Sequence, residues 1–155
     1  FDEEKLKNLM SDQTIDIIVF GFRGFPGGLH SPEMYGWIEE QENIIKKIHV
    51  KRSYKDPSKD PIVVGTFFFK KAEIYKKIAE QSIKNNQKIN NEFYVDSCIN
   101  LAISQGYKVV LFEPTSFLCW GTPNDLDSYK YWQKCFDKWP KHIYRTNKDE
   151  DFLKL

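Results

Sequence analysis

The chain has 155 residues and a mass of 18.4 kDa, which is enough for one domain or for part of a larger one. Hydrophobic residues make up 41% and aromatic residues 15% of the chain, so we expect a packed core and exclude an intrinsically disordered chain. The net charge of +1 provides no overall field that would favour nucleic acid or an anionic membrane as a partner.

Hydrophobic periodicity predicts alternating helices and strands along the chain. In chain order the predicted elements are a helix at 2–10, a strand at 15–22, strands at 35–40 and 43–52 joined as a hairpin, a strand at 62–69, helices at 72–85 and 92–105, a strand at 107–113 and a helix at 125–139. The segment 21–28 carries four of the eight glycines, and 53–61 is polar; both are predicted as loops. The predicted fold is therefore α/β.

The strands at 15–22, 62–69 and 107–113 are nearly continuous apolar runs, which is typical of central strands covered on both faces. The predicted helices at 72–85, 92–105 and 125–139 each have one apolar stripe. The stripes consist of Ile74, Tyr75, Ile78, Ala79 and Ile83; of Val95, Cys98, Ile99 and Ala102; and of Leu126, Tyr129, Trp132, Phe136 and Trp139. Gly106 is predicted to end the helix at 92–105. Asn124 is the predicted N-cap of the helix at 125–139, and Pro140 is predicted to end that helix. A charged tail follows at 141–155.

The residue types give little support for a metal or redox site. Three cysteines (Cys98, Cys119 and Cys135) form no CxxC pair, and the three histidines are scattered, so we expect a reducing, cytoplasmic setting. Cys98 and Cys135 lie on apolar helical faces and are predicted to be core thiols. The N-terminal residues are too acidic for a signal peptide, and no apolar run reaches the roughly 18 residues that span a bilayer.

Two further patterns favour a structural interpretation. The glycine loop lacks the Gly-Lys-Ser/Thr ending of a phosphate-binding loop, so we interpret it as a turn-rich surface loop. Asp125 and Asp127 match a metal-binding Asp-x-Asp by letter, but Asp125 falls in the predicted first turn of a helix, where the helix dipole favours a carboxylate.

The segment 90–96 is more informative. Glu92 and Asp96 are four positions apart, which predicts that both carboxylates lie on one face at the start of a helix. A carboxylate there could accept hydrogen bonds from the hydroxyls of a sugar. A solvated helix start, with Glu92 as a partner of the helix dipole, explains the spacing equally well.

Four motifs occur in an order that resembles the C-terminal part of bacterial sugar-phosphate nucleotidyltransferases. They are PEMYGW at 32–37, VGTFFFK at 64–70, NEFYVDS at 91–97 and CWGTPNDL at 119–126, and the resemblance extends over residues 5–138. Enzymes of this family join a sugar 1-phosphate to a nucleoside monophosphate taken from an NTP, and they release pyrophosphate. The resemblance implies a mixed, mostly parallel Rossmann-like sheet flanked by helices, with the whole chain as the sugar-binding side of one domain.

The resemblance also implies roles for individual residues. Lys51 or Arg52 would neutralise the sugar phosphate. The implied substrate-binding residues are Tyr35, Gly36, Gly65, Thr66, Glu92, Asp96, Gly121 and Thr122. Mg²⁺ is the implied cofactor, but Cys119 and Trp120 stand where many members carry a metal-binding Asp, so the metal ligands are unassigned.

The family's nucleotide-binding loop would lie before Phe1. We therefore expect the chain alone to be inactive, not to bind NTP and to self-associate. The expected partners are a sugar 1-phosphate and an NTP, with no nucleic acid or membrane and with a possible homo-oligomer. Two alternatives are a non-catalytic, nucleotidyltransferase-like binding or regulatory domain and a glycosyltransferase of related fold.

Overall fold

The computed structural model describes residues 1–139, so the predictions for Pro140 and for the tail lie outside the described residues. The chain divides into two compact units, Phe1–Phe117 and Leu118–Leu155. The first unit contains the helices α1 (Glu3–Ser11), α2 (Pro26–His30), α3 (Ala72–Lys84) and α4 (Val95–Ser104), and the strands β1 (Ile17–Phe22), β2 (Gly36–Gln41), β3 (Ile44–Val50), β4 (Ile62–Phe69) and β5 (Val109–Phe112). The second contains α5 (Pro123–Asp137). No helix within residues 1–139 has the length and apolarity needed to cross a membrane.

The first unit is a mixed sheet flanked by helices, which confirms the predicted α/β class. Strand β1 lies parallel to β5 and antiparallel to β4, while β2 and β3 form an antiparallel hairpin. Single residue pairs join the hairpin to β4 and to β5. Among the described strands β1 and β5 form the one parallel pair, so antiparallel pairing predominates here and the expected parallel majority is not seen.

Helices cover the sheet from both sides. One apolar cluster joins β1, β3 and β5 to α3 and α4 through residues such as Val19, Ile78 and Ile99. A second cluster, centred on Ile18 and Phe112, is covered by α1. Because alternate residues of a strand point to opposite faces, the apolar run of β1 supplies both clusters, as its sequence predicted.

Strand β4 differs from the prediction of complete burial. Its first residue, Ile62, is buried, but Gly65 and Thr66 are exposed. The apolar run alone could not show this, because it does not reveal whether a neighbouring element covers the strand. The middle of β4 is therefore accessible to solvent.

The hairpin turn explains why β2 and β3 pair as predicted. Glu42 and Asn43 both adopt left-handed backbone conformations, with φ of 53° and 63°. Two consecutive left-handed residues form the tight turn whose twist matches that of paired strands. Strand β3 ends at Val50, so Lys51 and Arg52 follow the strand and are not part of it, contrary to the prediction.

Helices α3 and α4 occupy the predicted positions with shifted boundaries. Ile74 and Ile78 of α3 are buried, but Tyr75 and Ile83 of its predicted stripe are exposed. In α4 the predicted face of Cys98, Ile99 and Ala102 is buried, which agrees with a core thiol at Cys98. The helix stops before Gly106, whose φ of 85° is left-handed, as expected for a C-terminal stop.

The glycine-rich segment is only partly a loop. Gly21 belongs to β1, and α2 begins at Pro26 and includes the buried Gly28. The prediction of a surface loop without a helix is therefore wrong for 26–30. Proline at the first position of a helix is favoured, because its missing N–H would have no partner there.

In the second unit, the N-cap residue of helix α5 differs from the predicted residue. The N-cap of α5 is Thr122 and not Asn124, because the Thr122 hydroxyl and the Asp125 carboxylate form a reciprocal capping box. The Asp125 carboxylate thus caps its helix, in agreement with the structural interpretation of Asp-x-Asp. No residue of α5 is buried, so the predicted aromatic stripe does not form a buried face in this unit, and the prediction of a core thiol at Cys135 is wrong.

Candidate functional site

Several predicted site residues converge where α4 begins. Gly36 opens β2, Lys51 follows β3, and Glu92, Tyr94 and Asp96 surround the start of α4. We call these five residues the Lys51 cluster. Contact between α4 and β3 brings the segments together: the Asn100 side chain accepts from the Ile48 N–H at 2.7 Å and donates to the Ile48 carbonyl at 2.8 Å.

Lys51 is held by its backbone as well as by its side chain. Its φ of 55° is left-handed, and its N–H donates to the carbonyl of Tyr35 at 3.1 Å. Its Nζ donates to the carbonyl of Met34 at 2.7 Å and lies 5.5 Å from the centre of the Tyr94 ring, within cation–π range. The ammonium group therefore has a defined position before any ligand binds.

Glu92 lies before α4 and not within it. Asn90 and Asn91 are both left-handed, and Ile89 and Glu92 exchange backbone hydrogen bonds of 2.9 and 3.0 Å across this turn. Asparagine tolerates this conformation better than other residues with a side chain, so the turn delays the helix to Val95. The prediction that Glu92 and Asp96 share one helical face is therefore wrong.

Tyr94 connects Glu92 to the rest of the cluster. The phenol hydroxyl donates a hydrogen bond to a carboxylate oxygen of Glu92. This bond to the neutral phenol raises the pKa of Tyr94 above its ordinary value, with further contributions from partial burial and from the nearby carboxylates. Nothing in the spacing of the sequence indicated this role.

Asp96 occupies the first turn of α4 and is partly buried. Burial raises the pKa of its carboxyl group above the ordinary value of 3.8, while the positive charge of Lys51 acts in the opposite direction. The carboxylate packs against the backbone of Gly36, so closely that a Cβ at that position would overlap it.

Gly65 and Thr66 line a cavity of about 600 Å³ together with Phe67, Phe69, Ala72, Tyr75 and Val95. Val95 is the first residue of α4 and is flanked in the chain by Tyr94 and Asp96. The structure therefore brings the exposed middle of β4 and the Lys51 cluster to the same end of α4. The lining is largely apolar, and its Tyr75 and Phe69 rings pack 5.0 Å apart.

The remaining predicted site residues are Arg52, Gly121 and Thr122. Arg52 is exposed and forms no ion pair with any residue between 1 and 139. Gly121 and Thr122 belong to the second unit, where the Gly121 N–H lies 3.4 Å from the Cys119 sulfur and Thr122 caps α5. Their proposed roles in substrate binding stay predictions.

The described residues do not assemble a metal site. In the part of the chain that the structure describes, no group of three or more His, Cys, Asp or Glu side chains could hold an ion. The Asp125 carboxylate accepts hydrogen bonds from the N–H and hydroxyl of Thr122 at 2.9 and 2.8 Å, which commits it to the helix cap. These residues therefore do not fit a complete Mg²⁺ site.

No protein-family model and no curated protein sequence matches the chain. Solved structures are similar in fold. They include a nucleoside-diphosphate-sugar pyrophosphorylase from Vibrio cholerae (TM-score 0.59, 15% identity, covering 76% of this chain and 47% of that one). A protein assigned as a glucose-1-phosphate thymidylyltransferase from Bacillus anthracis, in complex with sucrose, gives a TM-score of 0.60 at 18% identity and covers 85% of this chain and 49% of that one.

A third similar structure is CMP:2-keto-3-deoxy-manno-octonic acid synthetase complexed with CTP, with a TM-score of 0.54 at 11% identity. It covers 86% of this chain and 55% of its own. The chain thus spans about half the length of the solved proteins that it matches. At these identities the likeness establishes the fold, which is that of sugar nucleotidyltransferases.

Proposed function

We propose that this chain, with its sugar-nucleotidyltransferase fold, forms the sugar-side half of such an enzyme. The reaction joins a sugar 1-phosphate to a nucleoside monophosphate taken from an NTP and releases pyrophosphate. One observation carries the proposal. The Lys51 ammonium group, which has a defined position, lies with the carboxylates of Glu92 and Asp96 at the start of α4. The cavity lined by Gly65 and Thr66 reaches the same end of this helix.

Each group has a chemical task in this proposal. The Lys51 ammonium group has three N–H donors, of which one is used by the Met34 carbonyl, so two can reach a phosphate. Glu92 uses one carboxylate oxygen for Tyr94, and its other oxygen can accept a hydrogen bond from a sugar hydroxyl. The exposed backbone of Gly65 and Thr66 can contact the sugar ring.

The reaction needs no covalent intermediate on the protein. An oxygen of the sugar phosphate attacks the α-phosphorus of the NTP, and pyrophosphate leaves. Catalysis then depends on alignment of the two phosphates and on neutralisation of their charge. Lys51 would orient the attacking phosphate and reduce its repulsion by the NTP. Residues 1–139 assemble no complete Mg²⁺ site, so we assign no step to the ion here.

Ligand titration of the 155-residue chain tests the proposal. Glucose 1-phosphate and N-acetylglucosamine 1-phosphate would be compared with UTP, dTTP and UDP-glucose by calorimetry or NMR. We expect binding of at least one sugar 1-phosphate, its loss in Lys51→Met and no binding of either NTP. Lys76→Met is the matched control, because Lys76 is exposed on α3.

The other outcomes point to other functions. Binding of UDP-glucose without binding of a sugar 1-phosphate would indicate a glycosyltransferase. Failure to bind any of these ligands would support a non-catalytic module. Micromolar binding of an NTP to the 155 residues would show that they contain the nucleotide site, contrary to the proposed division.

A further inference from the structure

We propose that Tyr94 is a positioning residue that fixes the separation between the phosphate-binding cation, Lys51, and the hydroxyl-binding carboxylate, Glu92. The inference rests on the proposed function of the same site. It adds that the site recognises ligands carrying both a phosphate and a hydroxyl group at a set distance, and that one side chain sets this distance.

The first contact is between Tyr94 and Lys51. The Nζ of Lys51 lies 5.5 Å from the centre of the Tyr94 ring, while the Met34 carbonyl accepts from the same nitrogen at 2.7 Å. An ammonium group is attracted to the negative face of an aromatic ring, so the ring limits the positions that the flexible lysine can occupy.

The second contact is between Tyr94 and Glu92. The hydroxyl at the far end of the same ring donates to the Glu92 carboxylate. Glu92 is exposed and precedes the helix, so without this bond its side chain would sample several rotamers. The rigid ring thus holds a cation against its face and a carboxylate at its edge.

Tyr94 can serve as this spacer because its own backbone is fixed. It is the N-cap residue of α4, and its carbonyl accepts from the N–H groups of Ser97 and Cys98 at 3.1 and 3.4 Å. Cys98 lies in the apolar core. When Lys51 and Glu92 are already in place, their side chains lose less conformational entropy on ligand binding, which strengthens that binding.

Two substitutions separate the two contacts. Tyr94→Phe keeps the ring beside Lys51 but removes the bond to Glu92, whereas Tyr94→Leu removes both. We would measure dissociation constants of the 155-residue chain for glucose 1-phosphate, N-acetylglucosamine 1-phosphate and inorganic phosphate by NMR titration. Tyr107→Phe is the control for loss of a phenol hydroxyl elsewhere in the same unit, and thermal unfolding of each variant checks the fold.

We expect Tyr94→Phe to weaken sugar 1-phosphate binding by up to roughly tenfold, because the ligand must then order the Glu92 side chain itself, and to leave phosphate binding unchanged. Tyr94→Leu should weaken both. Combining Tyr94→Phe with Glu92→Ala should give no larger loss than Glu92→Ala alone, because without the carboxylate the Tyr94 hydroxyl has no group to position.

Wild-type affinity for the sugar 1-phosphate in Tyr94→Phe would overturn the positioning role and leave the proposed function intact. Equal losses of phosphate binding in Tyr94→Phe and Tyr94→Leu would also overturn it, because they would indicate a merely structural effect. A wild-type chain that binds neither sugar 1-phosphate would overturn the proposed function and, with it, this role.

Discussion

The carboxylate of Asp96 packs against the backbone of Gly36 so closely that any side chain at position 36 would require the carboxylate to move. A Cβ added to Gly36 would overlap Oδ2 of Asp96, and Gly36 is itself buried at the start of β2. The contact joins the hairpin to the first turn of α4. It therefore ties together the two segments that supply the Lys51 cluster.

Gly36→Ala is expected to displace Asp96 and to weaken sugar 1-phosphate binding. Overpacking of a tight contact costs about 1–3 kcal/mol of unfolding free energy. Urea unfolding and ligand titration would measure the two effects. Because the clash involves the Asp96 carboxylate, Gly36→Ala combined with Asp96→Ala should recover stability relative to Gly36→Ala alone. A double variant no more stable than Gly36→Ala would contradict this explanation.

Asp96→Asn is expected to stabilise the fold at neutral pH. The pKa of Asp96 is raised in the folded chain by burial, so its contribution to stability is complete below the unfolded value of 3.8 and is lost as the pH rises through the folded pKa. The uncharged amide avoids that loss. Urea unfolding at pH 7 should show a gain that disappears below pH 3.8, and a gain of equal size at both pH values would contradict the titration argument.

Glu92→Gln is expected to weaken the use of the sugar 1-phosphate by about 1–3 kcal/mol, because the amide has no negative charge to strengthen the hydrogen bond from the sugar hydroxyl and has one acceptor oxygen in place of two. The measurement is the dissociation constant for the chain, or KM in an enzyme that includes the nucleotide side. Glu80→Gln, at an exposed position of α3, is the matched control. Unchanged values in Glu92→Gln would remove Glu92 from the site.

Lys51→Met is expected to raise KM for the sugar 1-phosphate more than Arg52→Met does, and both should raise it more than KM for the NTP. The reason is that Lys51 is fixed beside Tyr94, whereas Arg52 is exposed and unpaired among the described residues. Steady-state kinetics of an enzyme that includes the nucleotide side, with each substrate varied in turn, would measure this. The reverse order would assign the phosphate contact to Arg52, and a larger effect on the NTP would place both residues on the nucleotide side.

Thr122→Ala is expected to destabilise α5 by about 0.5–2 kcal/mol, because it removes the N-cap hydroxyl. Thr122→Ser keeps this hydroxyl and should be close to the wild type. Helix content measured by circular dichroism during thermal unfolding would distinguish the two variants. Equal behaviour of Thr122→Ala and Thr122→Ser would show that the capping box does not stabilise the helix.

Local patterns were sufficient for much of the fold. Within residues 1–139, the alternation of apolar runs and helical stripes predicted every strand and four of the five α-helices, and the predicted core face of α4 is the buried one. Local patterns failed at two places, where the boundary of a helix depends on the backbone geometry before it and where the burial of a strand depends on a covering element. The left-handed turn at Asn90–Asn91 delays α4 past Glu92, and β4 is exposed at Gly65 although its sequence is apolar.

The sequence by itself, through its motifs and the family they resemble, determined the candidate residues of the proposed site: Lys51 or Arg52 after a hairpin, Glu92 and Asp96 near a helix start, and Gly65 within an apolar strand. Only the tertiary structure decided which of these side chains lie close together in space. Packing of α4 on β3, fixed by Asn100 and the backbone of Ile48, brings the Tyr94 ring to Lys51. These residues are distant in the chain, and no periodic pattern encodes their contact, because it depends on how one helix is seated on the sheet.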